Sequence, residues 1–260
     1  MFYKIKLRWG IRKLIKHYFF DNTDNLTGLI DNYAFGPLAK LLNKHLANRI
    51  IKHYGADYDG ADSKSHNLDY KSGNLGYGLI HHSLIRNNRP KRVLCIGSMY
   101  GYIPFMCALA CKENNYGSVE FVDAAYDIDN PDDKGKHNFG KGFWKKIEPR
   151  AHFSYLKVSN YIKTYVMTTD NFVTKYPKRK YQYVYIDGDH TYEGVKNDFK
   201  IFWGKLEKGG LMLFHDTDNK GYHGEIYYNV TKLIKELGKK NHNMIHFPNL
   251  ASGLVILQKK

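Results

Sequence analysis

Long apolar runs are missing from this chain. None approaches the roughly 18 residues of a membrane span, and no apolar core follows the basic first stretch, so neither a spanning helix nor a secretion signal is expected. Cysteine is scarce, with three residues, Cys95, Cys107 and Cys111. Cys107 and Cys111 fall four apart on an expected helix, and no spacing supplies the further ligands that a zinc site needs. A disulfide framework is excluded in the same way, and the three read as buried thiols of a reducing cytosol. Acids are also short, with 25 Asp and Glu against 40 Lys and Arg, a net charge of +15. That balance favours anionic partners such as nucleic acid, phosphorylated glycans or an acidic membrane surface. Solvated lysines of a basic proteome would give the same excess. Internal repeats and long low-complexity tracts are absent.

What is present is organised around Tyr181 to Thr217. Tyr183–Ile186 and Leu211–Phe214 are short apolar runs with the look of buried strands. Each ends in charge, Asp187-Gly188-Asp189-His190 after the first and His215-Asp216 after the second. Between them Val195, Phe199, Phe202 and Leu206 recur at helical spacing. A strand, helix and strand in succession make a right-handed crossover, which sets the strands parallel and brings both charged tips to one edge. Ligands bind at that carboxyl edge in open α/β sheets. Asp187, His190, His215 and Asp216 are therefore expected to converge.

A length of 260 residues suits one α/β domain with a helical appendage. Residues 1–20 interleave Lys and Arg with apolar residues and contain no acid, as an amphipathic helix would. Such a helix has two uses, peripheral contact with an anionic membrane at its inner face, or packing on the domain or on another subunit of a homo-oligomer. A helix opening at Gly36-Pro37 and a polar loop or lid over 56–74 complete an N-terminal extension, residues 1–74.

From Leu75 onward the pattern alternates. A helix around Leu79–Arg86 leads to a strand, Val93–Ile96, then the turn Gly97-Ser98-Met99-Tyr100-Gly101 and an apolar helix to about Cys111. Gly97 permits a tight turn and close approach of backbone to a ligand. A second strand, Val119–Val122, ends at Asp123, where a carboxylate can accept both hydroxyls of a ribose. Ala124–Lys141 reads as a polar flap, and Tyr165–Thr168 as a third strand with Asp170 at its exit. A helix from about Glu225 to Leu237 precedes an antiparallel closing pair, Met244–Phe247 and Gly253–Leu257. The fold class expected is α/β, a Rossmann-like, doubly wound and mostly parallel sheet.

On the residues VLCIGSMYG, VEFVD and YVYIDGDHTYEGVKNDF…LEKGGLMLFHD, the sequence resembles the class I S-adenosylmethionine-dependent methyltransferases. The resemblance runs from about Leu75 to the C-terminus, and the last block is its specific part. That block is similar to the metal-dependent branch acting on small molecules and sugars, including enzymes of macrolide and cephalosporin pathways. The resemblance implies S-adenosylmethionine and a divalent metal as cofactors. It makes Asp187 and Asp216 metal ligands with His215 in the other ligand position, and His190 the general base. Gly97, Ser98, Tyr100, Gly101 and Asp123 would hold the cofactor's methionine and ribose, Asp187 would border it, and Asp170 would lie near the adenine.

Two residues depart from the family pattern. Cys95 stands where many members have an acid, and His215 replaces the first acid of a pair. Magnesium prefers oxygen ligands, whereas imidazole suits zinc, iron, nickel or copper. Another metal, a His215 standing back from the metal, and no metal at all each accommodate that change.

Competing roles attach to the same residues. Asp187, Asp189 or Thr191 can cap a helix. Tyr192 and Glu193 suit support of the turn, Asp198 a solvated or capping carboxylate, and Trp203 the core. Tyr222 and His223 are candidates for binding the acceptor. The activity expected is O-methylation of a sugar or other small hydroxylated acceptor, in surface polysaccharide or natural-product synthesis. The alternatives are methylation of an anionic phosphoryl or nucleic-acid acceptor, or a non-catalytic scaffold. No Asn-Pro-Pro-Tyr-type or RNA-binding motif supports nucleic acid. A nicotinamide dehydrogenase would show a fuller Gly-x-Gly-x-x-Gly turn.

Overall fold

A computed structural model describes residues 46–50, 66–68, 74–127, 130–131, 142–218, 229–238, 242–247 and 252–260. The helix expected over 1–20, the Gly36-Pro37 helix start, most of the lid and of the flap, and both Tyr222 and His223 lie outside them.

Seven strands form one sheet in the order β3-β2-β1-β4-β5-β7-β6. They are β1 (Arg92–Ile96), β2 (Ser118–Asp123), β3 (Ile162–Val166), β4 (Tyr181–Ile186), β5 (Leu206–His215), β6 (His242–Phe247) and β7 (Leu254–Lys259). The first five run parallel, and β7 is antiparallel to both β5 and β6. The expected doubly wound sheet with an antiparallel C-terminal pair is the fold observed.

Strand side chains alternate faces, so each central strand feeds two cores. Val93, Cys95, Tyr183, Tyr185, Leu211 and Leu213 join one core under α1 (Tyr77–Asn88) and α2 (Tyr102–Glu113). Leu94, Ile96, Val184, Ile186, Met212 and Phe214 join the other. That second core is closed by α5 (Thr169–Lys175), α6 (Tyr192–Lys205) and α7 (Val230–Leu237). Two short helices, α3 (Phe143–Lys146) and α4 (Pro149–His152), precede β3. α2 is buried on every side from Tyr102 to Cys111, because α1 covers the face turned away from the sheet. All three cysteines are accordingly buried and free.

Three local expectations need correction. β3 lies at Ile162–Val166, and Thr168 is instead the N-cap of α5, its side chain accepting from the Asn171 amide at 3.2 Å. As an edge strand with only Tyr165 buried, β3 has little apolar pattern to read. Leu206 continues the helical spacing of α6 but opens β5, and it is buried there against the same core. Asp198 is 4% exposed, not solvated, and accepts a hydrogen bond from Thr169 Oγ1 at 2.8 Å.

Among the described residues, no helix is long and apolar enough to cross a membrane.

Candidate active site

The parallel strands bring three chain turns together at one edge. The Gly97 amide donates to Val122 at 2.9 Å, and the Asp187 amide donates to Ile96 at 2.8 Å. Gly97 has φ +65°, and a Cβ there would stand 2.4 Å from the Asp187 carbonyl oxygen and 2.5 Å from Gly188 Cα. The glycine is therefore needed where the β1 and β4 exits touch, a demand of packing as much as of a ligand.

The rest of the β1 turn is braced from outside. Gly101 (φ +85°) has no room for a Cβ, which would meet Phe153 and Trp144 at 2.8 and 2.9 Å. Those two rings are stacked. Trp144 Nε1 donates to the Met99 carbonyl at 2.9 Å, and His152 Nε2 lies 3.0 Å from the Tyr100 carbonyl. Ser98 is buried, and Tyr100 packs edge-on against Phe143.

Asp123, at the tip of β2, accepts from the Ala125 amide at 2.7 Å and from the Ser98 amide. Burial pushes its carboxyl up to about 6 against those two hydrogen bonds. Asp170 stands exposed in the first turn of α5, where Asn197 Nδ2 donates to it at 3.2 Å.

The charged tips of β4 and β5 meet. Asp187 Oδ1 lies 3.2 Å from His190 Nε2 and 3.0 Å from His215 Nδ1, while Asp216 offers Oδ2 to His190 at 3.0 Å and Oδ1 to His215 at 3.4 Å. Acid and imidazole thus alternate around a ring. Tyr185 OH donates to Asp187 Oδ2 at 2.8 Å, fixing the carboxylate from beneath. Asp216 holds φ +54°, a left-handed conformation that Asp tolerates better than most side chains. Helix capping falls elsewhere, since the Thr191 side chain accepts from the Gly194 amide at 3.1 Å and Asp189 from the Thr191 amide at 2.9 Å. Tyr192 bridges to Glu236 at 2.5 Å, away from the ring.

Burial opposes charge on all four groups, and their mutual attraction outweighs it. Burial would raise Asp187, but the His215 charge and the bonds from both imidazoles hold it well below the usual carboxylate range. Asp216 is held at about 2 for the same reason. Burial would lower the imidazoles, yet Asp216 and Asp187 raise His190 and raise His215 well above its ordinary value.

One ligand atom from each of Asp187, His190, His215 and Asp216 lies within 4.8 Å of the others. Bonds of about 2.1 Å in a tetrahedral site would separate ligand atoms by about 3.4 Å, so atoms as far apart as 4.8 Å would have to draw in around an ion. Asp187, His215 and Asp216 alone offer two carboxylates and an imidazole, a donor set whose chemistry suits a divalent transition ion better than magnesium.

Residues 94–217 match the family described as a methyltransferase domain. The matched stretch is just under half of the chain and is similar to such a domain.

Among solved structures, the chain resembles a Klebsiella pneumoniae protein described as a proposed O-methyltransferase. The TM-score is 0.58 at 13% identity, over 89% of this chain and 96% of the other. It also resembles SAH-bound Podospora anserina methyltransferase PaMTH1, with TM-score 0.56 and 14% identity over 88% and 97% of the two chains. At such identities the likeness concerns the fold. An uncharacterized Sinorhizobium fredii protein, y4gI, is 27% identical over 158 residues, 60% of this chain. The chain spans 16% and 24% of the lengths of the curated relatives it matches.

Sequence reasoning missed two residues of the candidate site. Tyr185 reads as one more apolar strand position, although its hydroxyl serves Asp187. His66, in the expected lid, packs on His215 with ring centroids 4.5 Å apart. Only the loop composition of 56–74 pointed towards it.

Proposed function

We propose that the chain is an S-adenosylmethionine-dependent methyltransferase acting on a hydroxyl oxygen of a small acceptor, a sugar or other polyol, with help from a divalent cation. The observation that carries this reading is the buried ring of Asp187, His190, His215 and Asp216 beside the β1 turn and Asp123.

S-Adenosylmethionine supplies an electrophilic sulfonium methyl with a good leaving group, so the protein's tasks are alignment and removal of a proton. Asp123 and the Ser98 amide suit the ribose side of that cofactor. Asp187, His215 and Asp216 would hold the cation, whose charge would lower the pKa of a bound hydroxyl. His190 is the group to accept the proton. Without a cation, both carboxylates favour the protonated form of His190 and raise it above its ordinary value. Carboxylates engaged by a cation would relax that effect, leaving His190 nearer the range where imidazole works as a base. The net charge of +15 favours an acceptor that carries phosphate or other anionic groups, as a lipid-linked or surface saccharide does. It equally supports contact of the basic residues 1–20 with an anionic membrane face.

Titration of the full chain with S-adenosylhomocysteine, against NAD, tests the cofactor. Release of S-adenosylhomocysteine over a panel of sugars and polyols, with and without divalent ions, tests the acceptor. His190→Ala should keep product affinity within about threefold and lose roughly 10²- to 10⁴-fold in turnover. Loss of cofactor binding in that variant would make His190 structural, and no binding by the wild type would refute the reading.

A further inference from the structure

His66 precedes the matched domain segment and is 3% exposed. Its ring lies 4.5 Å from that of His215 at an interplanar angle of 34°. Tyr77 stands edge-on to both rings, 5.8 Å from His215 and 6.3 Å from His66. Tyr185 approaches His215 from another side at 6.4 Å, and Tyr102 tilts against His66 at 5.6 Å. His215 is thus boxed by three rings, with His66 the nearest.

The placement of His66 is built into the chain. The Tyr77 amide donates to its carbonyl at 2.9 Å. Gly76 (φ +49°) allows this approach, since a Cβ there would lie 1.8 Å from the same oxygen. Asn74 ties the segment twice, accepting from the Gly76 amide at 3.0 Å and donating to the Asn67 carbonyl at 3.2 Å. Tyr102 OH donates to the Leu75 carbonyl at 2.6 Å. An imidazole turns about χ2 in a broad, roughly two-fold well, and only part of that range directs Nδ1 at two carboxylates.

We propose that His66 is a positioning residue of the methyl-transfer site, its ring holding His215 in the plane where Nδ1 meets Asp187 and Asp216. The chain ahead of the family domain then completes the site. Only the consequence for cation binding rests on the function proposed above; the ring geometry is tested separately.

The first measurement is long-range proton–nitrogen NMR of the His215 ring in full-length, metal-free protein. Wild type and His66→Phe, which keeps a flat ring, should show one sharp, matching set of signals, and His66→Ala a shifted or averaged one. The second is titration with Co²⁺ and, separately, with S-adenosylhomocysteine. His66→Ala should bind Co²⁺ roughly 10- to 100-fold more weakly, as loss of an orienting neighbour does, with His66→Phe near wild type and product affinity unchanged in both. Unaltered His215 signals in His66→Ala, or signals in His66→Phe as disordered as those expected of His66→Ala, overturn the proposal. Failure of the wild type to bind Co²⁺ would sink the cation in the proposed function and leave the NMR result to decide His66.

Discussion

Asp198→Asn should change the pH dependence of stability in a direction the fold dictates. The carboxyl is 4% exposed on α6, with Thr169 Oγ1 as its donor. Burial pushes it up to about 7; the Thr169 bond opposes this, and the charges of Asp189 and Asp170 add to it. In the unfolded chain an aspartate ionises near 3.9, so between about 4 and 7 the folded state holds a proton that the unfolded state has released. Stability must then fall as pH rises through that window and level off above it. The full displacement corresponds to about 4 kcal/mol, of which roughly 3 kcal/mol is lost between about pH 5 and pH 8.

Asparagine is neutral, nearly the same size, and still accepts from Thr169, so the variant lacks this slope. Urea unfolding of wild type and Asp198→Asn at both pH values isolates it, because every other titrating group is common to the two proteins. The stability of the variant relative to wild type should rise by about 3 kcal/mol from acid to alkaline conditions. A relative stability constant within about 0.5 kcal/mol would mean that Asp198 is ionised throughout and that water or a cation reaches it.

Gly97→Ala should cost about 2–5 kcal/mol, combining a left-handed φ with a Cβ pressed against Asp187 and Gly188, and should weaken product binding; urea unfolding within about 0.5 kcal/mol of wild type would show that the β4 exit yields freely. In metal-free protein the ring of four should stabilise fully between about pH 4 and 6.5, its carboxylates losing that contribution as pH falls through their lowered pKa values and its imidazoles as pH rises through their raised ones. Unfolding curves of the Asp187→Asn variant against wild type check this window, and a difference that stays constant both below pH 4 and above pH 6.5 would refute the pairing. Calorimetry should find Co²⁺ bound at least about 100-fold more tightly than Mg²⁺, with affinity rising with pH as imidazole protons are displaced; parity with Mg²⁺ would remove His215 from the ligand set.

The sheet was legible because parallel strands buried on both faces must be short apolar runs, and Val93–Ile96, Tyr183–Ile186 and Leu211–Phe214 are such runs. The meeting of Asp187 with Asp216 followed from one crossover. β3 was misplaced because an edge strand buries one side chain and leaves no pattern. Leu206 misled because helix and strand bury it in the same core, so periodicity could not mark the boundary. Asp198 and His66 were illegible for a different reason. Each is buried by a residue distant in sequence, Asp198 beside Thr169 and His66 against His215 and Tyr102, and local composition carries no trace of such contacts.

His215 alters the logic of the site it occupies. An acid there would crowd a third carboxylate beside Asp187 and Asp216, and buried like charges at that spacing need a cation or a proton to coexist. With imidazole, each carboxylate finds two nitrogen partners, whose protonation the two acids favour. The metal-free fold is thereby satisfied internally, and a cation must compete with protons instead of filling an electrostatic need. On the proposed reading, cation occupancy and the protonation of His190 would be two readings of one equilibrium, and engaging the ligands would free His190 to act as the base. The same coupling makes the orientation of His215 matter more than its charge, since a ring turned away would leave two buried carboxylates short of a partner.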